Sequence, residues 1–153
     1  MPVKSTNQPL NYISLRAASG GNVVPSGVQY IKWEVEEKDD FGAYDFATNP
    51  GIIKIPASLN GKKARISTFV KYSVTGPAST PYGHKTVITI NGVDIVGEGR
   101  YSYTTDAYLF QYQLSSKIVE LSTDDEIVVQ VYGCLIHSGI FDNSSWVQVE
   151  ILE

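Results

Sequence analysis

Ala64-Arg65-Ile66-Ser67-Thr68-Phe69-Val70-Lys71-Tyr72-Ser73-Val74 is the stretch that decides the fold class. Ile66, Thr68, Val70, Tyr72 and Val74 fall on one side of an extended chain; Arg65, Ser67, Lys71 and Ser73 fall on the other. Successive side chains of a strand point to opposite faces, so this alternation predicts a β-strand with one face in a core. Phe69 is the exception, an apolar ring among the polar positions.

The same period continues on both sides. Downstream, Val87-Ile88-Thr89-Ile90 and Val93-Asp94-Ile95-Val96 flank Asn91-Gly92, and Asn-Gly supplies the two positive-φ residues of a type I′ hairpin turn. Tyr108–Leu114 alternates, Lys117–Leu121 follows, and Ser122–Asp125 reads as a turn. Glu126–Tyr132 is nearly continuous in apolar residues, which predicts a central strand covered on both faces. Trp146–Leu152 is the last strand. Upstream, Val28–Glu36 reads as a strand whose pattern slips at Tyr30-Ile31, a place for a bulge. Glu37–Gly42 reads as a turn, and Ile52–Ile55 as a short strand stopped by Pro56. Leu10–Leu15 alternates over one short strand. No stretch sustains a helical period. The chain is therefore expected to be all-β, an antiparallel jelly-roll sandwich of about 8–10 strands with an extended N-terminal arm.

With 153 residues the chain is expected to form one domain, residues 28–153, preceded by an arm or tether at 1–27. The arm is polar and carries Gly20-Gly21 and prolines at 2, 9 and 25. Twelve basic against sixteen acidic residues leave a net charge of −4, and no basic run exceeds Lys62-Lys63. A nucleic-acid binder needs a basic footprint, so nucleic acid is not an expected partner. No apolar run approaches the ~18 residues of a membrane span, so no membrane partner is expected either. The first residues have no apolar signal region, which predicts synthesis in a cytoplasm. One cysteine, Cys134, stands among apolar neighbours and cannot form an intrachain disulfide; it reads as a small buried hydrophobe.

Several pieces in order resemble one family. They are Trp33, Gly42-Ala43-Tyr44-Asp45, Gly51-Ile52-Ile53-Lys54-Ile55-Pro56, Gly61 and the strand Ala64–Val74 in the first half. In the second half they are Ile90-Asn91-Gly92, Ser116–Leu121, Asp124-Asp125-Glu126, Ile127–Val131 and Ser144-Ser145-Trp146. Together they resemble the jelly-roll of tumour necrosis factor ligands and the complement globular head, over residues 28–153. The resemblance implies a homotrimer with the C-terminal strand near the subunit contacts. No collagen-like Gly-X-Y stalk stands ahead of the domain. With the polar arm, this makes the chain look most like a bacteriophage virion protein. The expected function is non-enzymatic: a trimeric capsid decoration or head-fibre protein in the virion, anchored to a capsid or other virion protein through residues 1–27. The alternatives are a tail-fibre or spike tip that binds a host-surface glycan, and a bacterial lectin-like or interaction module of the same fold.

No catalytic residue is expected. His84 and His137 are far apart in sequence, and no nucleophile motif accompanies them. No cofactor is expected. Asp39, Asp40 and Asp45 form an acidic cluster and are the weak candidates for a hard cation, though they lack the calcium-loop pattern. Asp124, Asp125 and Glu126 read as turn caps and solvated charges. Tyrosine, with ten residues, is the compositional outlier. It offers large contact area with a polar tip. Tyr82, Tyr101, Tyr103 and Trp146 are the interface candidates. Tyr108, Phe110 and Tyr112 share one strand face and read as core.

Overall fold

A computed structural model describes the backbone of residues 11–17, 23–24, 27–75, 81–103, 108–133, 139–141 and 144–152. Side chains are described for 11–17, 30–71, 85–97, 115–131 and 144–152. The strands are β1 (Tyr12–Arg16), β2 (Val23–Val24), β3 (Gly27–Tyr30), β4 (Val35–Asp39), β5 (Ile52–Lys54), β6 (Lys63–Thr75), β7 (Pro81–Ile90), β8 (Val93–Tyr103), β9 (Tyr108–Glu120), β10 (Glu126–Gly133), β11 (Gly139–Phe141) and β12 (Trp146–Ile151). Among the described residues one 3-10 turn covers Ala57–Leu59. No helix among the described residues is long and apolar enough to cross a membrane.

All pairings are antiparallel, and they form two sheets packed as a sandwich. The spine of the larger sheet is β6. Its full length pairs with β9 along one edge. Along the other edge β12 takes the first half of β6 and β11 the second. Beyond β12 come β1 and then β4; beyond β11 comes β2. The smaller sheet is built on β10, with β7 and β8 on one side and β5 and β3 end to end on the other. In the strands whose side chains are described, alternation sends one set of side chains between the sheets, most clearly in β1, β6, β10 and β12. Ile13, Leu15, Ile66, Val70, Val147 and Val149 come from the larger sheet; Ile53, Ile88, Ile127, Val129 and Val131 come from the smaller one. All belong to a single buried cluster. Burying each such side chain contributes roughly 1.5–3 kcal/mol before entropy costs, so this layer dominates the folding energy.

The structure corrects several expectations. The stretch Val28–Glu36 is two strands in different sheets. The chain leaves the smaller sheet after Tyr30, crosses with Ile31 and Trp33 buried at 1%, and enters the larger sheet at Val35. The slip at Tyr30-Ile31 marks that crossing. At the same place Tyr30 covers Gly51 so closely that an added Cβ would stand 2.3 Å from the ring. Glu37-Lys38-Asp39 belongs to β4, and the turn begins only at Asp40. Finally, β10 is central in its sheet but alternates: Ile127, Val129 and Val131 are buried while Val128 and Gln130 are half-buried. One face of β10 points into the core and the other is only partly covered.

Residues 12–17, inside the stretch expected as an arm, are part of the sandwich. β1 lies between β12 and β4, and Ile13 and Leu15 are fully buried. The hairpin at Asn91-Gly92 forms as expected, with φ of 52° and 76°.

Candidate interaction surface

The outer face of the larger sheet carries the most coherent set of exposed side chains. On β12, Val147 and Val149 point inward, so Trp146, Gln148 and Glu150 point out. The register sets Trp146 between Arg16 and Phe69, Gln148 between Ser14 and Ser67, and Glu150 between Tyr12 and Arg65. Trp146 and Phe69 are half-buried and stack with centroids 6.4 Å apart and planes at 19°. Offset stacking of two large rings favours this pairing beyond simple burial. Polar contacts occupy the described face on the side toward Glu150. Arg16 Nε donates to Glu37 Oε1 at 2.9 Å, and Ser14 Oγ donates to Glu37 Oε2 at 3.2 Å. The hydroxyls of Ser67 and Ser116 lie 3.0 Å apart. Arg65 pairs with Glu150 at 3.2 Å. Lys38 Nζ sits 4.1 Å from the centre of the Tyr12 ring and 2.9 Å from Asp40. Ile118, on β9, is half-exposed.

A second feature is a cavity of about 290 Å³ beside β5, whose lining includes Tyr44, Asp45, Asn49, Ile52, Lys54 and Asp124. Lys54 and Asp124 pair at 3.2 Å with both side chains more than half exposed. In such a pair the attraction is largely screened by water. Tyr44 is buried, and its hydroxyl is shared between the carbonyls of Trp33 and Pro50. Burial, reinforced by the negative charges of Glu36, Glu34 and Asp45, pushes this phenol above its ordinary value.

The three aspartates expected as a weak cation site are each occupied with shaping a turn. Asp39 accepts from the backbone N–H of Phe41 at 3.0 Å and of Tyr44 at 2.9 Å. Asp40 accepts from the Tyr12 N–H at 3.2 Å, and its bond from Lys38 holds its carboxyl below the ordinary value. Asp45 accepts from the Thr48 hydroxyl at 2.7 Å and the Ala47 N–H at 3.0 Å; the Thr48 bond lowers its carboxyl likewise. Among the described residues no three His, Cys, Asp or Glu side chains converge to hold a metal ion.

The second acidic cluster is also structural. Asp125 is buried, with Oδ1 accepting from Asn91 Nδ2 at 2.8 Å and Oδ2 from the Ser122 N–H at 2.8 Å. Nothing in the residue spacing disclosed that Asn91 would join two distant turns. For Phe69 there was a signal: it was the one apolar residue out of phase.

The β7–β8 register brings Tyr82 opposite Ser102, Tyr101 opposite Gly83 and Tyr103 opposite Pro81, so the three tyrosines share one end of this hairpin. Trp146 belongs to the other sheet. The side chains of Tyr82, Tyr101, Tyr103, Tyr108, Phe110, Tyr112 and His84 lie outside the described residues, as do Cys134 and His137 altogether. No protein-family model matches the chain, and no curated protein matches it in sequence.

Proposed function

We propose that the protein is a non-enzymatic structural protein that assembles as a homotrimer through a jelly-roll domain, and that its place is on a bacteriophage virion as a capsid decoration or head-fibre protein. The observation that supports this best is the strand order. Taking β3 and β5 as one broken strand, and setting aside the short β2, β4 and β11, eight principal strands remain. They are ordered β1-β12-β6-β9 in one sheet and β3/β5-β10-β7-β8 in the other. First and last strands are neighbours, and successive strands trade sheets except at the β7–β8 hairpin, as two interlocked Greek keys would require. That order supports a jelly-roll reading of the sandwich. The virion assignment rests on the resemblance to tumour necrosis factor ligands and is an analogy from fold to function.

The outer face around Trp146 and Phe69 is the surface on which subunits would meet, in keeping with an expected contact near the C-terminal strand. Anchoring to a larger particle would fall to the residues ahead of β1, since β1 itself is committed to the core. Light scattering on the purified chain tests the assembly. A mass near three times 16.8 kDa is expected. A folded chain that stays at 16.8 kDa across the concentration range overturns the trimer, and with it the reading built on the fold's resemblance.

A further inference from the structure

The turn between β7 and β8 is exposed at Asn91 and Gly92. An asparagine followed by glycine is the most reactive setting for intramolecular attack on a side-chain amide, because glycine places no Cβ beside the attacking nitrogen. Yet this amide is held on both atoms. Asn91 Nδ2 donates to Asp125 Oδ1 at 2.8 Å, and Asn91 Oδ1 accepts from the Glu126 N–H at 2.9 Å. The backbone adds a third link, Asn91 N–H to the Glu126 carbonyl at 3.0 Å. All three contacts run across to the turn before β10 and draw the amide toward that neighbour. The φ of 52° at Asn91 is the left-handed conformation of a type I′ turn, which the clamp and the hairpin jointly maintain.

We propose that Asn91 is a spontaneous deamidation site whose rate is set by its clamp to Asp125 and Glu126. When the clamp opens, the Gly92 backbone nitrogen gives its proton to solvent and attacks Asn91 Cγ. A C–N bond forms, the Cγ–Nδ2 bond breaks, and Nδ2 departs with a proton as ammonia. The resulting five-membered succinimide adds water at either carbonyl, and the ring nitrogen recovers its proton as the ring opens. Aspartate or isoaspartate results, and water is the only co-reactant. Either product lacks the Nδ2 donor and sets a second carboxylate against Asp125, which is 9% exposed. Like charges at that separation repel, and isoaspartate also lengthens the backbone of a two-residue turn. Conversion therefore unlocks the end of the smaller sheet that the clamp had closed.

The test measures conversion by peptide mapping that separates aspartate from isoaspartate. Two hydrogen bonds of ordinary net strength correspond to a slowing of roughly tenfold to a hundredfold against a peptide spanning Thr89–Asp94. Asp125→Ala is expected to bring the folded protein toward the peptide rate, whereas Asp125→Asn, which keeps one oxygen acceptor for Asn91 Nδ2 and gives up the bond from the Ser122 N–H, is expected to convert more slowly than Asp125→Ala. A folded wild type that converts as fast as the peptide overturns the proposal. So does a folded Asp125→Ala variant that stays as slow as wild type. A further measurement needs no variant: the Glu126 amide proton is donated into the clamp, so its exchange and the deamidation should share one opening step. Strong protection of that proton beside an unprotected Asn91 also overturns the proposal.

Discussion

Tyr44 shows what one polar group does in this core. Its hydroxyl serves the carbonyls of Trp33 and Pro50, which lie on the crossing between the sheets and just ahead of β5. Tyr44→Phe leaves both carbonyls without that donor and is expected to cost about 1–3 kcal/mol in urea unfolding. Because the phenol holds its proton more tightly when folded, its contribution is full below the ordinary value of 10.0 and shrinks as pH rises past it. Wild type should therefore lose stability in that alkaline range, and Tyr44→Phe should lose less. The carboxylates behave in the opposite sense. Asp40 and Asp45 are held below 3.8, so their contribution is present above that pH and lost as pH falls beneath it. Asp45→Asn should flatten the acid limb of an unfolding-midpoint profile; an unchanged limb would show that the Thr48 contact carries no weight. The acidic residues were legible in the sequence as clusters. Their use as turn acceptors was not, because adjacency along the chain does not say which N–H each carboxylate reaches.

At the scale of elements, β1 is the most consequential. It joins β4 to the rest of the larger sheet and places Ile13 and Leu15 at 0% exposure. Ile13→Ala should cost about 2–5 kcal/mol, read as a lowered urea midpoint with unchanged slope. Removing residues 1–27 should cost far more and abolish cooperative unfolding, since a central strand goes with the arm. A truncation that still unfolds cooperatively with the wild-type midpoint would show that β1 is dispensable. The alternation over Leu10–Leu15 did predict a strand here. What it could not convey is that the strand is interior to a sheet, because a short alternating run reads the same at an edge and at a centre. The converse holds for Val28–Glu36. Its alternation was legible, and so was the slip at Tyr30-Ile31, but a bulge within one strand and a crossing between two sheets produce the same local pattern.

For the whole molecule, the test is whether the Trp146–Phe69 face is covered in solution. Trp146→Lys alters an outward side chain and spares the inward Val147 and Val149. It is expected to reduce the scattering mass from about three chains to one, with the sheet signal in circular dichroism retained. A specific interface buries on the order of 1,000 Å² or more, so a lysine at its centre meets a large desolvation cost. An unaltered trimer would move the contact to another face.

The sequence by itself determined the all-β class, most strand positions and the Asn91-Gly92 hairpin. Those depend on the pleat, which sends alternate side chains to opposite faces, and on backbone angles that glycine and asparagine accept locally. Only the tertiary structure decided which strands are neighbours and which sheet each belongs to. It also decided that Phe69 meets Trp146 and that Asn91 meets Asp125. These pairings join residues remote along the chain, and they are selected by the packing of the two apolar faces as a whole.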